Sequence, residues 1–175
     1  MWSFRAIFLF AVLGFLGGCG FQPFYGNSFG ANAPNEFAAI KVKPIPDRVG
    51  QQLHNHLLSL LNPGGKPLKP RYTLAATMSE SIASLGVRKS AFATRANLTL
   101  SVSFQLSPVS GGESLLSESE AIIVSYNILE SDFATLMAEK DARARAVREL
   151  AQAIRTRLAA HFTHPLPNKN LKKIR

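Results

Sequence analysis

From residue 40 onward, apolar side chains recur along the chain with two different periods. Ile40-Lys41-Val42-Lys43 alternates and stops at Pro44, which predicts a short strand. Val49, Leu53, Leu57, Leu60 and Leu61 then recur at the spacing of one helical face. Asp47 stands where it can cap that helix, and Asn62-Pro63-Gly64-Gly65 stops it. Three alternating runs follow. Tyr72, Leu74, Ala76 and Met78 mark the first, and Leu98, Leu100, Val102, Phe104 and Leu106 mark the second. After a turn at Pro108 to Gly112, Ile122, Val124, Tyr126 and Ile128 mark the third. Residues 131–162 read as a long helix, on the order of 45 Å at 1.5 Å per residue. Its apolar stripe is Leu136, Ala144, Val147, Leu150, Ala151, Ile154 and Leu158, with Arg143, Arg145, Arg148, Arg155 and Arg157 elsewhere and Pro165 ending it.

The order strand, helix, three strands, helix predicts an α/β (α+β) two-layer sandwich. Its four-stranded mixed sheet carries both amphipathic helices on one face. The first strand–helix–strand unit is expected to be a right-handed crossover. Residues 39–162 form this single domain, and residues 163–175 a basic tail with Lys169, Lys172, Lys173 and Arg175.

If the apolar strand residues meet the helices, the opposite sheet face is read off by alternation. It shows Thr77 on the first long strand, Thr99, Ser101 and Ser103 on the second, and Ser125 on the third, among other Ser, Thr, Ala and Asn. Almost no charge falls there, although open sheets are commonly protected by Lys or Glu. Two readings stay open at this point. A small, neutral, hydrogen-bonding surface suits packing against a polar wall such as a barrel lumen, and Ser and Thr are also tolerated on a solvated strand face.

Composition matters chiefly through the N-terminus. The chain has 175 residues, a formal charge of +9, 46% hydrophobic residues and one cysteine. That hydrophobic share supports a real core, and a single cysteine rules out an internal disulfide or a Cys-rich metal site. Arg5, the uncharged run Ala6 to Leu16 and Gly17-Gly18 have the layout of a secretory signal peptide over residues 1–18. The run is too short to span ~30 Å of hydrocarbon, which takes about 20 helical residues. Cys19 follows at once, as in a lipobox whose cysteine is acylated and becomes the mature N-terminus. Gly20 follows where an Asp would mark retention at the inner membrane, so sorting rules favour the outer one. Residues 19–38 then form the lipidated N-terminus and a tether. In such a compartment the basic charge points away from nucleic acid and toward membrane phosphates and lipopolysaccharide.

Catalytic and metal motifs fail on context. Gly26-Asn27-Ser28-Phe29-Gly30 matches G-x-S-x-G, yet it lies in the tether, without the strand-to-helix turn that chemistry needs. His54 and His56 are two apart on a helix and cannot share a metal, and His161 and His164 meet only where a helix ends. Gly64-Gly65-Lys66-Pro67 lacks the first Gly and the Ser/Thr of a phosphate loop. Glu118 and Glu120 are read as a solvated strand end. No enzyme, metal or cofactor is expected.

The start Cys19-Gly20-Phe21-Gln22-Pro23-Phe24-Tyr25-Gly26 resembles the mature N-terminus of the LPS-assembly lipoprotein LptE family. Asp47 to Leu53 resembles that family's first helix start. Ser125-Tyr126-Asn127 through Ala138–Arg143 to Leu150-Ala151 is similar to its last strand and long helix. The resemblance implies a non-enzymatic outer-membrane lipoprotein, held by acylated Cys19 on the periplasmic side. It also implies a partner, the β-barrel LptD, which the chain plugs and helps assemble, and lipopolysaccharide as ligand. The family's lipopolysaccharide-contacting cations match no motif here. From this sequence alone Arg88, Lys89 and Arg95 stand out in an inter-strand loop, with Lys41, Lys43, Lys66, Lys69 and Arg71 as a second basic group. The alternative class is an envelope adaptor lipoprotein of a different peptidoglycan or transport complex.

Overall fold

The computed structural model describes residues 36–87 and 93–163. Ile40–Val42 forms β1, Arg48–Leu61 α1, Tyr72–Val87 β2, Ala93–Pro108 β3, Leu116–Asn127 β4 and Asp132–Thr163 α2. The strands lie in sequence order in one sheet. β1 runs parallel to β2, while β2–β3 and β3–β4 are antiparallel. This is the mixed four-stranded sheet and element order that the two periods predict. Cys19 and the signal segment, Gly26–Gly30, Arg88, Lys89, His164 and the basic tail lie outside the described residues.

A single apolar layer joins sheet and helices. Leu74, Leu98, Leu100, Val102, Phe104 and Leu106 on the strands are buried, as are Leu53, Leu57 and Leu61 of α1 and Val147, Leu150, Ile154 and Leu158 of α2. Each such side chain contributes about 1.5–3 kcal/mol by leaving water. The ends of the elements meet around Phe162, whose ring is 6.0 Å from Phe37 and 5.3 Å from Tyr72. Asn62 Nδ2 donates to the Phe37 carbonyl at 3.1 Å, which ties the end of α1 to the segment leading into β1.

Three details differ from the sequence expectation. Asp47 occupies the N-cap position but makes no side-chain cap bond. Its φ of 66° lies outside the β-region backbone from which a cap oxygen reaches the first-turn N–H groups. In α1, Gly50 is buried while Val49 and Leu60 are only half-buried. A Cβ at Gly50 would sit 2.7 Å from Ile45 Cγ2 and 3.2 Å from the Ile45 carbonyl, so a hydrogen there is what lets the helix close on the loop. In α2, Ala142 and Ala146 are buried, Ala144 is half-buried and Leu136 is exposed. The start of α1 faces α2 around Lys140–Ala144, so the turns of α2 before that level have no α1 beside them. Phe133, Leu136 and Met137 on those turns stay exposed.

Candidate functional site

Side chains alternate along a strand, and β2, β3 and β4 use that alternation to sort charge. Glu80, Glu118 and Glu120 fall in phase with Met78, Ile82, Ile122 and Val124, so they face the helices. Arg143 of α2 donates to both Glu80 oxygens at 2.9 and 2.6 Å and to Glu139 at 2.7 Å. Arg157 binds Glu120 and lies 3.5 Å from Glu118. Both guanidiniums are held still further above their ordinary pKa, Arg143 first by its hydrogen bond to Glu80 and Arg157 first by its bond to Glu120. Glu118 and Glu120 are therefore ion-pair partners of a helix and not a solvated strand end. Their phase with the apolar residues was the signal, because every acid on these strands shares the core-facing register.

The other face is left almost without charge. In register across the sheet stand Thr77–Ser103–Ser119, Ser79–Ser101–Ala121, Ser81–Thr99–Ile123 and Ala83–Asn97–Ser125. The five residues expected to face a partner, Thr77, Thr99, Ser101, Ser103 and Ser125, thus come together on one surface. Ser103 and Ser119 hydroxyls are 2.9 Å apart, and the Ser125 hydroxyl donates to Asn97 Oδ1 at 2.6 Å. Among its side chains that are described, Ile123 is the large exposed apolar one, at 63%. Among the described residues, charge enters this face only at its corners. Lys41 stands beside Thr73 at one corner, and Arg95 stands beside Asn127 at the other.

Arg95 is exposed and lines a cavity of about 300 Å³ with Ser125, Tyr126, Asn127, Asp141 and Arg145. Arg145 pairs with Asp141 at 2.8 Å. Two guanidiniums at one end of the sheet, one of them tethered to a carboxylate, suit contact with an anionic group. The sequence reading missed Arg145, since only the fold brings that turn of α2 beside the end of β4. Of the second basic group, Arg71 is engaged by Glu36 at 2.6 Å and sits over the Tyr72 ring.

Nothing among the described residues assembles three or more His, Cys, Asp or Glu side chains as a metal site would require. His54 Nδ1 is 3.1 Å from the Lys43 carbonyl oxygen. Burial holds His161 below its ordinary pKa, against the opposing pull of Glu118. No described helix is long and apolar enough to cross a membrane.

The family model for LptE, described as lipopolysaccharide assembly, matches residues 37–158, which is most of the chain and nearly all of the described fold. The chain belongs to the LptE family. LptE membership places it among lipopolysaccharide-assembly lipoproteins, a family whose work is assembly and not catalysis. It is 24% identical over 156 residues to an uncharacterized protein of Rickettsia prowazekii (strain Madrid E), covering 89% of this chain and 96% of that one. A candidate lipoprotein from Caulobacter crescentus superposes with a TM-score of 0.62 at 20% identity, covering 78% of this chain and 99% of that one. Rare lipoprotein B from Shewanella oneidensis gives 0.56 at 13% identity, with 71% and 94% covered. At such identities these structures speak for a shared fold, and the LptE assignment rests on the family match.

Proposed function

We propose that this chain is an outer-membrane lipoprotein, anchored on the periplasmic side through acylated Cys19, that plugs the lumen of the β-barrel LptD, helps that barrel assemble and binds lipopolysaccharide during delivery. The observation that carries the reading is the uncharged sheet face. Its rows of Ser and Thr offer hydrogen bonds without the desolvation cost of burying an ion, which amounts to several kcal/mol per charge. A polar barrel wall can satisfy such a surface, and the acids that would oppose it are turned to the helices. Membership of the LptE family supports the lipopolysaccharide-assembly role. Arg95, which lies on β3 and not in the inter-strand loop expected from the sequence, supplies a cation for lipid phosphates, and we assign Arg88 and Lys89, close to it in the chain, to the same role.

The test is a mild-detergent pull-down from outer membranes with a C-terminal tag, comparing wild type with Ser103→Arg and Ser125→Arg. The wild type is expected to bring down a stoichiometric large barrel. Each arginine variant is expected to lose most of that barrel while its thermal stability changes little, because exposed substitutions usually stay within about 0.5 kcal/mol. A variant that recovers the barrel at wild-type yield would show that this face is merely solvated. Peptidoglycan or inner-membrane components in place of a barrel would favour the envelope adaptor.

The cationic assignment has a separate readout. Arg88→Ala combined with Lys89→Ala is expected to weaken lipopolysaccharide binding at low salt by roughly tenfold, about 1.4 kcal/mol, and to leave the fold intact. An unchanged titration would remove those two residues from the binding site.

A further inference from the structure

β2 is long and its neighbour on one side is short. β2 runs for 16 residues, whereas β1 has three and pairs only with Tyr72–Leu74. The Lys43 N–H donates to the Leu74 carbonyl at 2.8 Å, so Leu74 turns its backbone groups toward β1. Backbone direction alternates along a strand. Ala76, Met78, Glu80, Ile82 and Ser84 therefore point their N–H and C=O groups the same way, past the end of β1, where no described strand pairs with them.

Natural sheets blunt such edges with charges, prolines or bulges. From Ala75 to Ser84 this edge has no proline, and its one charged residue, Glu80, is drawn to Arg143 of α2. β4, the opposite edge, carries two acids, Glu118 and Glu120, both drawn to Arg157 of α2.

Beside the open β2 edge lies a recess. A cavity of about 360 Å³ is lined by Arg48, Val49, Gln52, Lys140 and Ala144, together with the paired Glu80 and Arg143. Val49 and Ala144 give it apolar walls. Arg48 and Lys140 have no ion-pair partner among the described residues, in contrast to Arg143.

We infer that the open edge of β2 is a docking site for an extended segment of the barrel partner, which pairs with it as a fifth strand and sets one acidic side chain into the recess between Arg48 and Lys140. Main-chain hydrogen bonds give such additions their affinity and side-chain pockets their selectivity. The identity of the source rests on the barrel reading above. The geometry of edge and recess asks for an extended segment with small or apolar residues beside Ile82, which is 44% exposed. A second copy of this chain fits poorly, since it would bring a second Arg48 and Lys140, and another strongly basic chain, to the same edge.

Hydrogen exchange of the full chain in mild detergent, alone and in the barrel complex, tests this. Amides in 75–84 that already bond to β3 are slow in both states. Those of Ala76, Met78, Glu80, Ile82 and Ser84 are expected to exchange freely in the free chain and roughly tenfold or more slowly in the complex, because a docked strand opens only on local dissociation. Ser84→Pro, at an exposed position, removes one outward N–H without touching the β2–β3 ladder, as proline does on an edge strand, and is expected to lower barrel yield. Arg48→Glu with Lys140→Glu is expected to do so without altering any strand. Unchanged exchange in 75–84 within an intact complex would overturn the edge assignment and leave the plug reading standing. Edge amides already protected in the free chain would overturn it too. Failure of wild type to recover any barrel would remove both.

Discussion

When Cys19 is replaced by serine, the chain is expected to leave the membrane fraction. The chain offers one cysteine, it follows Gly17-Gly18 directly, and no described helix is long and apolar enough to span a bilayer. On the proposed reading, anchoring depends on acyl carbons, each worth about 0.8 kcal/mol when buried, with two or more chains needed for stable attachment. The variant is best made behind an ordinary cleavable signal sequence, so that an unprocessed leader does not itself hold the protein to the membrane. Intact mass of the wild type is expected to start at residue 19 and to carry acyl chains. The serine variant is expected to lack that mass and to wash free. Equal membrane retention of wild type and variant, without added mass at residue 19, would show that Cys19 is no anchor.

Phe104→Ala is expected to destabilise the fold by about 3–5 kcal/mol, the range for truncating a buried Phe. Against a total of about 5–15 kcal/mol for a domain, that lowers the melting temperature on the order of 10 °C. Phe104 is 2% exposed and lies mid-strand between Ala76 and Glu118, under the helices. Its neighbour Ser103 faces the other way and is exposed, bonding only the Ser119 hydroxyl. Ser103→Ala is therefore expected to leave stability within about 0.5 kcal/mol. Thermal unfolding of both variants measures the contrast directly. Comparable losses at the two positions would mean that the Ser103 face is packed within the folded chain and so is not free for a partner.

That contrast also marks what is legible in a single sequence. Leu98 to Leu106 alternates without a break, and each apolar residue in it proved buried. The opposite face followed by phase alone, which brought Thr77, Thr99, Ser101, Ser103 and Ser125 to one surface. The long helix was placed to within a residue at each end. Period carries this information because a strand or helix must bury one side, and the spacing of apolar residues records which. Glu118 and Glu120 show where the reading stopped. Their phase was visible, but the partner Arg157 is 37 residues or more away in the chain, and nothing local announces which arginine of α2 will reach them.

The order of elements, the buried face of each strand and the neutrality of the other face were thus determined by the sequence itself, through the periodicity that local geometry imposes. Tertiary structure decided what depends on relative position. It set Gly50 against Ile45, left the first turns of α2 beyond the reach of α1, paired Arg143 with Glu80, and ended β1 after three residues, so that no described strand pairs with the rest of that β2 edge beside the recess lined by Arg48 and Lys140. These features arise from distances between segments far apart in the chain, which packing settles and periodicity does not encode.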